Sequence, residues 1–201
     1  MYQSLFLSFV SVTALSASIL TFTPAPGNGP AVPVTVTITD IAGGVTINAA
    51  VTGSPTGDIR GLFWVLSGNS IPAGLTCGQI SGADKTGCQI GEGSVNDLGN
   101  GANMNGVFTT FDAGVEIGSA GIGANDIQNT TLTITNPGIT TALFTTFGVR
   151  LTSVGVGDNR GDSSKLIDLT PDTPGGNVPE PGTFAMLGGA LLALGLRARR
   201  A

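Results

Sequence analysis

The chain has 201 residues, among them 32 Gly, 11 Pro, 8 Lys plus Arg, 13 Asp plus Glu and no His. That length suits one domain with its own core, and the lack of His excludes imidazole acid–base chemistry and the commonest nitrogen metal ligand. Residues 25–177 set five cations against twelve carboxylates, a net −7, which leaves no electrostatic footprint for nucleic acid.

The N-terminus reads MYQSLFLSFVSVTALSASILTFTPAPG, apolar with small hydroxyl residues from Leu5 to Leu20. This pattern predicts a secretory signal peptide over 1–25. No Lys or Arg precedes the apolar stretch, so the α-amine supplies the positive charge. Candidate cuts follow Ser18, with Ser16 two places upstream, or Ala25, with Thr23 upstream and Pro26 following. A hydrophobic first strand or helix is the alternative. The stretch TPAPGNGPAVP is expected to break any regular element.

From about 32 to 169 the grammar is that of β-structure. VPVTVTITD places Val34, Val36 and Ile38 on one face and Thr35, Thr37 and Thr39 on the other. VTINAAV repeats the alternation with Val45, Ile47, Ala49 and Val51, and Gly43-Gly44 joins the two runs as an antiparallel pair. RGLFWVLSG is continuously apolar and reads as a central strand. GVFTTF, AGVEIG, TTLTITN, ALFTTFGVRLTSVG and KLIDLT supply further strands, separated by Gly, Asn and Asp turns. The expected fold is all-β, an antiparallel β-sandwich or jelly-roll-like domain, with a solenoid as the alternative.

Within that body, Cys77 and Cys88 flank a polar, Gly-rich span, and an exported chain would join them as a disulfide. A redox role lacks the CxxC spacing. GEGSVNDLGNGANMNG offers Asp97, Asn100 and Asn103 as hard oxygen ligands, with Asp112 and Glu116 close behind. Calcium accepts such ligands in irregular geometry, although Asn-Gly pairs also serve as ordinary turns. Arg160-Gly161-Asp162 is too short to imply an adhesive ligand. Trp64 lies inside Leu62-Phe63-Trp64-Val65-Leu66, a context that predicts burial over a sugar-stacking platform. Sequences such as Gly121-Ile122-Gly123 have no lysine-bearing phosphate-loop pattern around them. No further cofactor is expected.

Residues 170–178 read as a Pro/Gly linker. Then come Val178, Pro179, Glu180 and Pro181, fourteen uncharged residues at 183–196, and Arg197, Arg199 and Arg200. The apolar run is shorter than the roughly 20 residues of a full span, yet Ala, Leu and paired Gly favour a short transmembrane helix. The arginines would stay on the cytoplasmic side.

This order resembles the PEP-CTERM sorting signal, at 179–201, a family of C-terminal signals recognised by an exosortase. The resemblance implies export, transient inner-membrane contact, recognition of Pro179-Glu180-Pro181, and release or transfer to the cell envelope, cell surface or extracellular space. GDIRGLFWVLSG, LGNGANMNG, FDAGVEIGSAGIGANDIQNTTLTIT and FGVRLTSVG are in turn similar to a recurrent exported domain of cyanobacterial PEP-CTERM proteins. The expected function is a non-catalytic envelope or extracellular-matrix protein whose partners are the exosortase and the export machinery. The alternative is a surface module that binds exopolysaccharide or a matrix protein. An enzyme would need paired carboxylates, which the sequence alone does not pair.

Overall fold

The computed structural model describes residues 17–107, 110–119 and 126–172. Two short strands lead, β1 (Ile19–Phe22) and β2 (Ala25–Asn28). They are followed by β3 (Val34–Ile41), β4 (Gly44–Val51) and β5 (Thr56–Leu66). Next come β6 (Ile80–Ser81), β7 (Lys85–Val95) and β8 (Phe111–Ile117), then β9 (Asn129–Ile134), β10 (Phe144–Val156) and β11 (Asn159–Asp168). Among the described residues the only helical turns are short 3-10 segments.

Alternation of Val and Ile with Thr sets the first hairpin. Val34, Val36 and Ile38 are buried and their Thr neighbours half-buried, as a pleat with one face in a core requires. β3 and β4 pair without interruption from Val34↔Val51 to Ile41↔Gly44. Ala42 and Gly43 close the turn, where Gly43 takes φ +80°, a conformation glycine adopts without a Cβ clash.

All pairings are antiparallel and build two sheets, β1-β3-β4-β9-β6 and β2-β11-β10-β5-β8-β7. Their inner faces share one core that includes Val36, Ile38 and Ile47 from the first sheet and Leu62, Trp64, Val149 and Leu151 from the second. The architecture is a two-sheet β-sandwich. β5 sits between β10 and β8, the central place its continuous apolarity predicts.

The second sheet also buries part of its outer face. Phe63, Val95, Met104 and Phe111 form a smaller cluster there, covered by the segment 96–107. Rings lie flat over glycines: a Cβ on Gly148 would stand 2.7 Å from the Phe111 ring and 2.9 Å from the Met104 methyl. Glycine therefore lets the aromatic layer touch the backbone.

The strand run begins earlier than the expected start at 32. Leu20 and Phe22 turn inward, and all four β1 residues pair with β3, from Ile19↔Thr39 to Phe22↔Val36. The Pro-rich stretch was expected to carry no regular element, yet Ala25–Asn28 forms β2. Pro26 is tolerated because β2 lies at the edge of its sheet, where one side of the strand needs no ladder partner. β7 lies in a span for which the sequence pattern predicts no strand. It is an edge strand whose glycines and polar residues give no clean period.

Candidate functional site

The segment 96–107, which carries most of the proposed calcium ligands, is a latch on the outer face of the second sheet. Its own turns engage the Asp97 carboxylate. Asp97 Oδ1 accepts from the Gly99 N–H at 2.9 Å and Oδ2 from Asn105 Nδ2 at 3.1 Å. Asp97 and Asn103 face each other in an isolated β-bridge. The latch then turns carbonyls toward three cations of the sheet beneath: Arg60 Nη2 donates to Asn100 O at 3.1 Å, Arg150 Nε to Gly101 O at 3.1 Å, and Lys165 Nζ to Asn105 O. Burial, and then the charge of Arg60, hold the Arg150 guanidinium below its usual pKa. Lys165 is lowered by burial and by Arg150, with Asp97 opposing.

The remaining two candidates, Asp112 and Glu116, stand on β8. Asp112 accepts the Leu66 and Gly93 N–H groups at 2.7 Å each, tying β8 to the ends of its neighbours. Glu116 Oε1 accepts from Arg60 Nη2 at 3.0 Å, and Arg60 also reaches Ile117 O. Arg60 stands where the β5–β10 register slips by one, between Arg150↔Gly61 and Leu151↔Ile59. Such a bulge re-aims a side chain, leaving Ile59 and Leu62 in the main core. Asn100 and Glu116, with Thr86, Gly118 and Ser119, line a hollow of about 370 Å³. Asn100 and Glu116 thus meet at Arg60, while Asp97 and Asp112 are engaged with other partners, and among the described residues no group of three or more His, Cys, Asp or Glu is placed to hold a metal ion.

A second charged cluster fixes the segment that begins at Asp126. Arg160 donates to both Asp126 oxygens, at 2.5 and 2.7 Å, and through Nε to Ser153 O at 2.7 Å. The Arg160 hydrogen bonds hold the Asp126 carboxyl below its ordinary pKa. Arg160 is thereby turned inward, away from the exposed Gly161 and Asp162. Asp58, 1% exposed, accepts the Ile127 N–H at 2.9 Å and the Thr152 hydroxyl at 3.3 Å. Burial raises its pKa, and the Ile127 hydrogen bond opposes the rise. Sequence reasoning passed over Asp58 and Arg60, although the signal was present: a charged residue at the head of an apolar run is seldom fully buried unless paired.

Cys77 and Cys88 are joined, with S–S 2.03 Å. The bond ties the one-turn 3-10 segment Cys77–Gln79 to edge strand β7. Lys85 Nζ closes the same loop by donating to Cys77 O and Ile80 O, each at 2.6 Å. Trp64 is 0% exposed, as its apolar context predicts, and so are Phe63 and Phe111, so none of these rings is open to stack on a sugar. Trp64 packs on Phe147 and Phe144, with centroids 6.2 and 6.3 Å away.

The outgoing chain is fastened to the incoming one. Asp172 N donates to Thr21 O at 2.8 Å in an antiparallel bridge, and Thr23 Oγ1 donates to Asp172 Oδ2 at 2.7 Å. Thr23 N donates to Asp168 Oδ2 at 2.9 Å. Both ends of the described body therefore sit on β1. Residues 1–16, the sorting residues Val178, Pro179, Glu180 and Pro181, the apolar run 183–196, and Arg197, Arg199 and Arg200 lie outside the described residues. Among the described residues no helix is long and apolar enough to cross a membrane.

A family model for the PEP-CTERM protein-sorting motif matches residues 177–200. The chain carries a PEP-CTERM sorting motif. The match spans the Pro-Glu-Pro, the apolar run and the arginines. It marks a protein exported toward the cell envelope or surface and processed by an exosortase. No curated protein and no solved structure matches the chain.

Proposed function

We propose that this PEP-CTERM chain is a non-catalytic structural protein of the cell envelope or extracellular matrix. In this reading a leader carries the chain out, and the run at 183–196 holds it transiently in the inner membrane. Arg197, Arg199 and Arg200 retain its last residues on the cytoplasmic side. Exosortase acts at Pro179-Glu180-Pro181, and the sandwich is released or passed to the surface, where its neighbours are exopolysaccharide or matrix proteins. The observation that carries the reading is the sorting motif at 177–200. The deployment of the carboxylates supports a structural body: Asp58, Asp112, Glu116 and Asp126 are each engaged in holding backbone or a cation in place. The likeness to an exported cyanobacterial domain belongs to the same reading.

Surface fractionation with mass mapping of both ends tests it. A cytosolic product retaining residues 1–201 overturns the reading. Glu180→Ala is expected to leave the tail on the product and the product in the membrane fraction, with the body's unfolding midpoint unchanged. Normal removal of the tail from that variant removes Glu180 from the recognition step.

A further inference from the structure

Of the bonds that satisfy the small-residue rule for removing a leader, Ser18–Ile19 and Ala25–Pro26 bracket β1. We propose that the leader is cut between Ser18 and Ile19, so that β1 is the first strand of the mature domain. The proposal rests on the export reading above.

The two bonds stand in different structural settings. A cut after Ala25 discards all of β1: four register pairs with β3, the inward side chains of Leu20 and Phe22, and the contact of Phe22 with Phe147 at 5.7 Å between ring centroids. It also discards Thr23, which reaches Asp168 and Asp172, and Thr21, which accepts from Asp172 N. The mature protein would begin with an uncovered Phe147 and an unfastened exit segment. Ala25 and Pro26 are themselves paired in the second sheet, opposite Ile167 and Leu166.

A cut after Ser18 leaves every β1 pair in place. Ala17 is exposed, and Ser18 O accepts one backbone bond, from Asp40 N at 3.0 Å. Hydrolysis adds water across the Ser18–Ile19 amide, leaving a carboxylate on the leader at Ser18 and an ammonium on Ile19. Ile19 is 49% exposed at the start of an edge strand, so the new charge stays in water. The sequence treats residues 19–25 as leader and body equally well, and the buried Phe22 decides between them.

The test uses the full chain in a bacterium with its own exosortase, with intact mass and terminal peptide mapping of the exported product. The expected first residue is Ile19. A first residue of Pro26, or any other start, overturns the proposal while leaving export standing. An uncut product in the cytosol overturns the export reading and this proposal together. Two variants separate the bonds. Ala25 is exposed, so Ala25→Phe is expected to fold and to keep the Ile19 start, whereas Ser18→Phe is expected to abolish that start and leave the leader attached. Loss of processing in Ala25→Phe, or normal processing in Ser18→Phe, overturns the assignment.

Discussion

Glu116→Gln keeps the shape of the side chain that accepts from Arg60 and removes only its charge. Arg60 is 0% exposed, so its guanidinium would then sit uncompensated in a low-dielectric site. Breaking a buried pair in this way costs about 3–5 kcal/mol, read as a fall in the urea midpoint at unchanged slope. Asp58→Asn is expected to act in the opposite sense near neutral pH. The folded-state pKa of Asp58 is raised by burial, so its ionised form weakens the fold, and stability falls as pH rises from the ordinary carboxylate value through the raised one. The amide keeps an acceptor for the Ile127 N–H and does not titrate. Thermal melts between about pH 3 and about pH 7 should show the variant gaining on the parent as pH rises, with the gain vanishing at the acid end. A constant difference across that window would mean that the Asp58 charge is not the cause.

At the scale of elements, β1 and the disulfide carry the sharpest expectations. Phe22 is fully buried on Phe147 in a four-residue strand, so Phe22→Ala should cost about 3–5 kcal/mol in chemical unfolding, far more than an edge position suggests. Cys77→Ser with Cys88→Ser frees a loop of sequence separation 11 and should cost about 2–3 kcal/mol. Reduction of the parent should add two hydrogens to its mass without any change from monomer to dimer. The elements that the sequence made legible are those whose period is long enough to count: the Val/Thr alternation of β3, the Ile/Ala alternation of β4, and the apolar run of β5. β1 escaped because ILTF shares its composition with a leader and offers only two inward residues, Leu20 and Phe22. β7 escaped because an edge strand needs no apolar alternation. The disulfide was legible from spacing and compartment. The pairing of Asn100 with Glu116 at Arg60, apart from Asp97 and Asp112, was not, because it depends on how a latch from one segment lands on strands far away in sequence. Asp97 spends its carboxylate within the latch, and Arg60 takes the Glu116 carboxylate.

For the whole molecule, the order of signals at the C-terminus was readable without any structure, and the family match at 177–200 agrees with it. Pro179 follows Asp172 by seven residues, which at full extension reach at most about 25 Å. The Glu180→Ala prediction belongs to this scale, since the variant leaves the sandwich untouched and changes only what becomes of it.

The Thr21–Asp172 bridge also decides how the body bears a load. If the body is held at the surface through the residues that follow Asp172, as the proposed function has it, any pull enters at this bridge. Asp172 is bonded to β1 of one sheet, and Asp168, four residues back, belongs to β11 of the other while accepting from Thr23. Tension arriving along the tail is therefore divided between both layers of the sandwich. The fastening would then act as a strain relief, like the clamp on a cable, loading β1 together with the hairpin of β10 and β11.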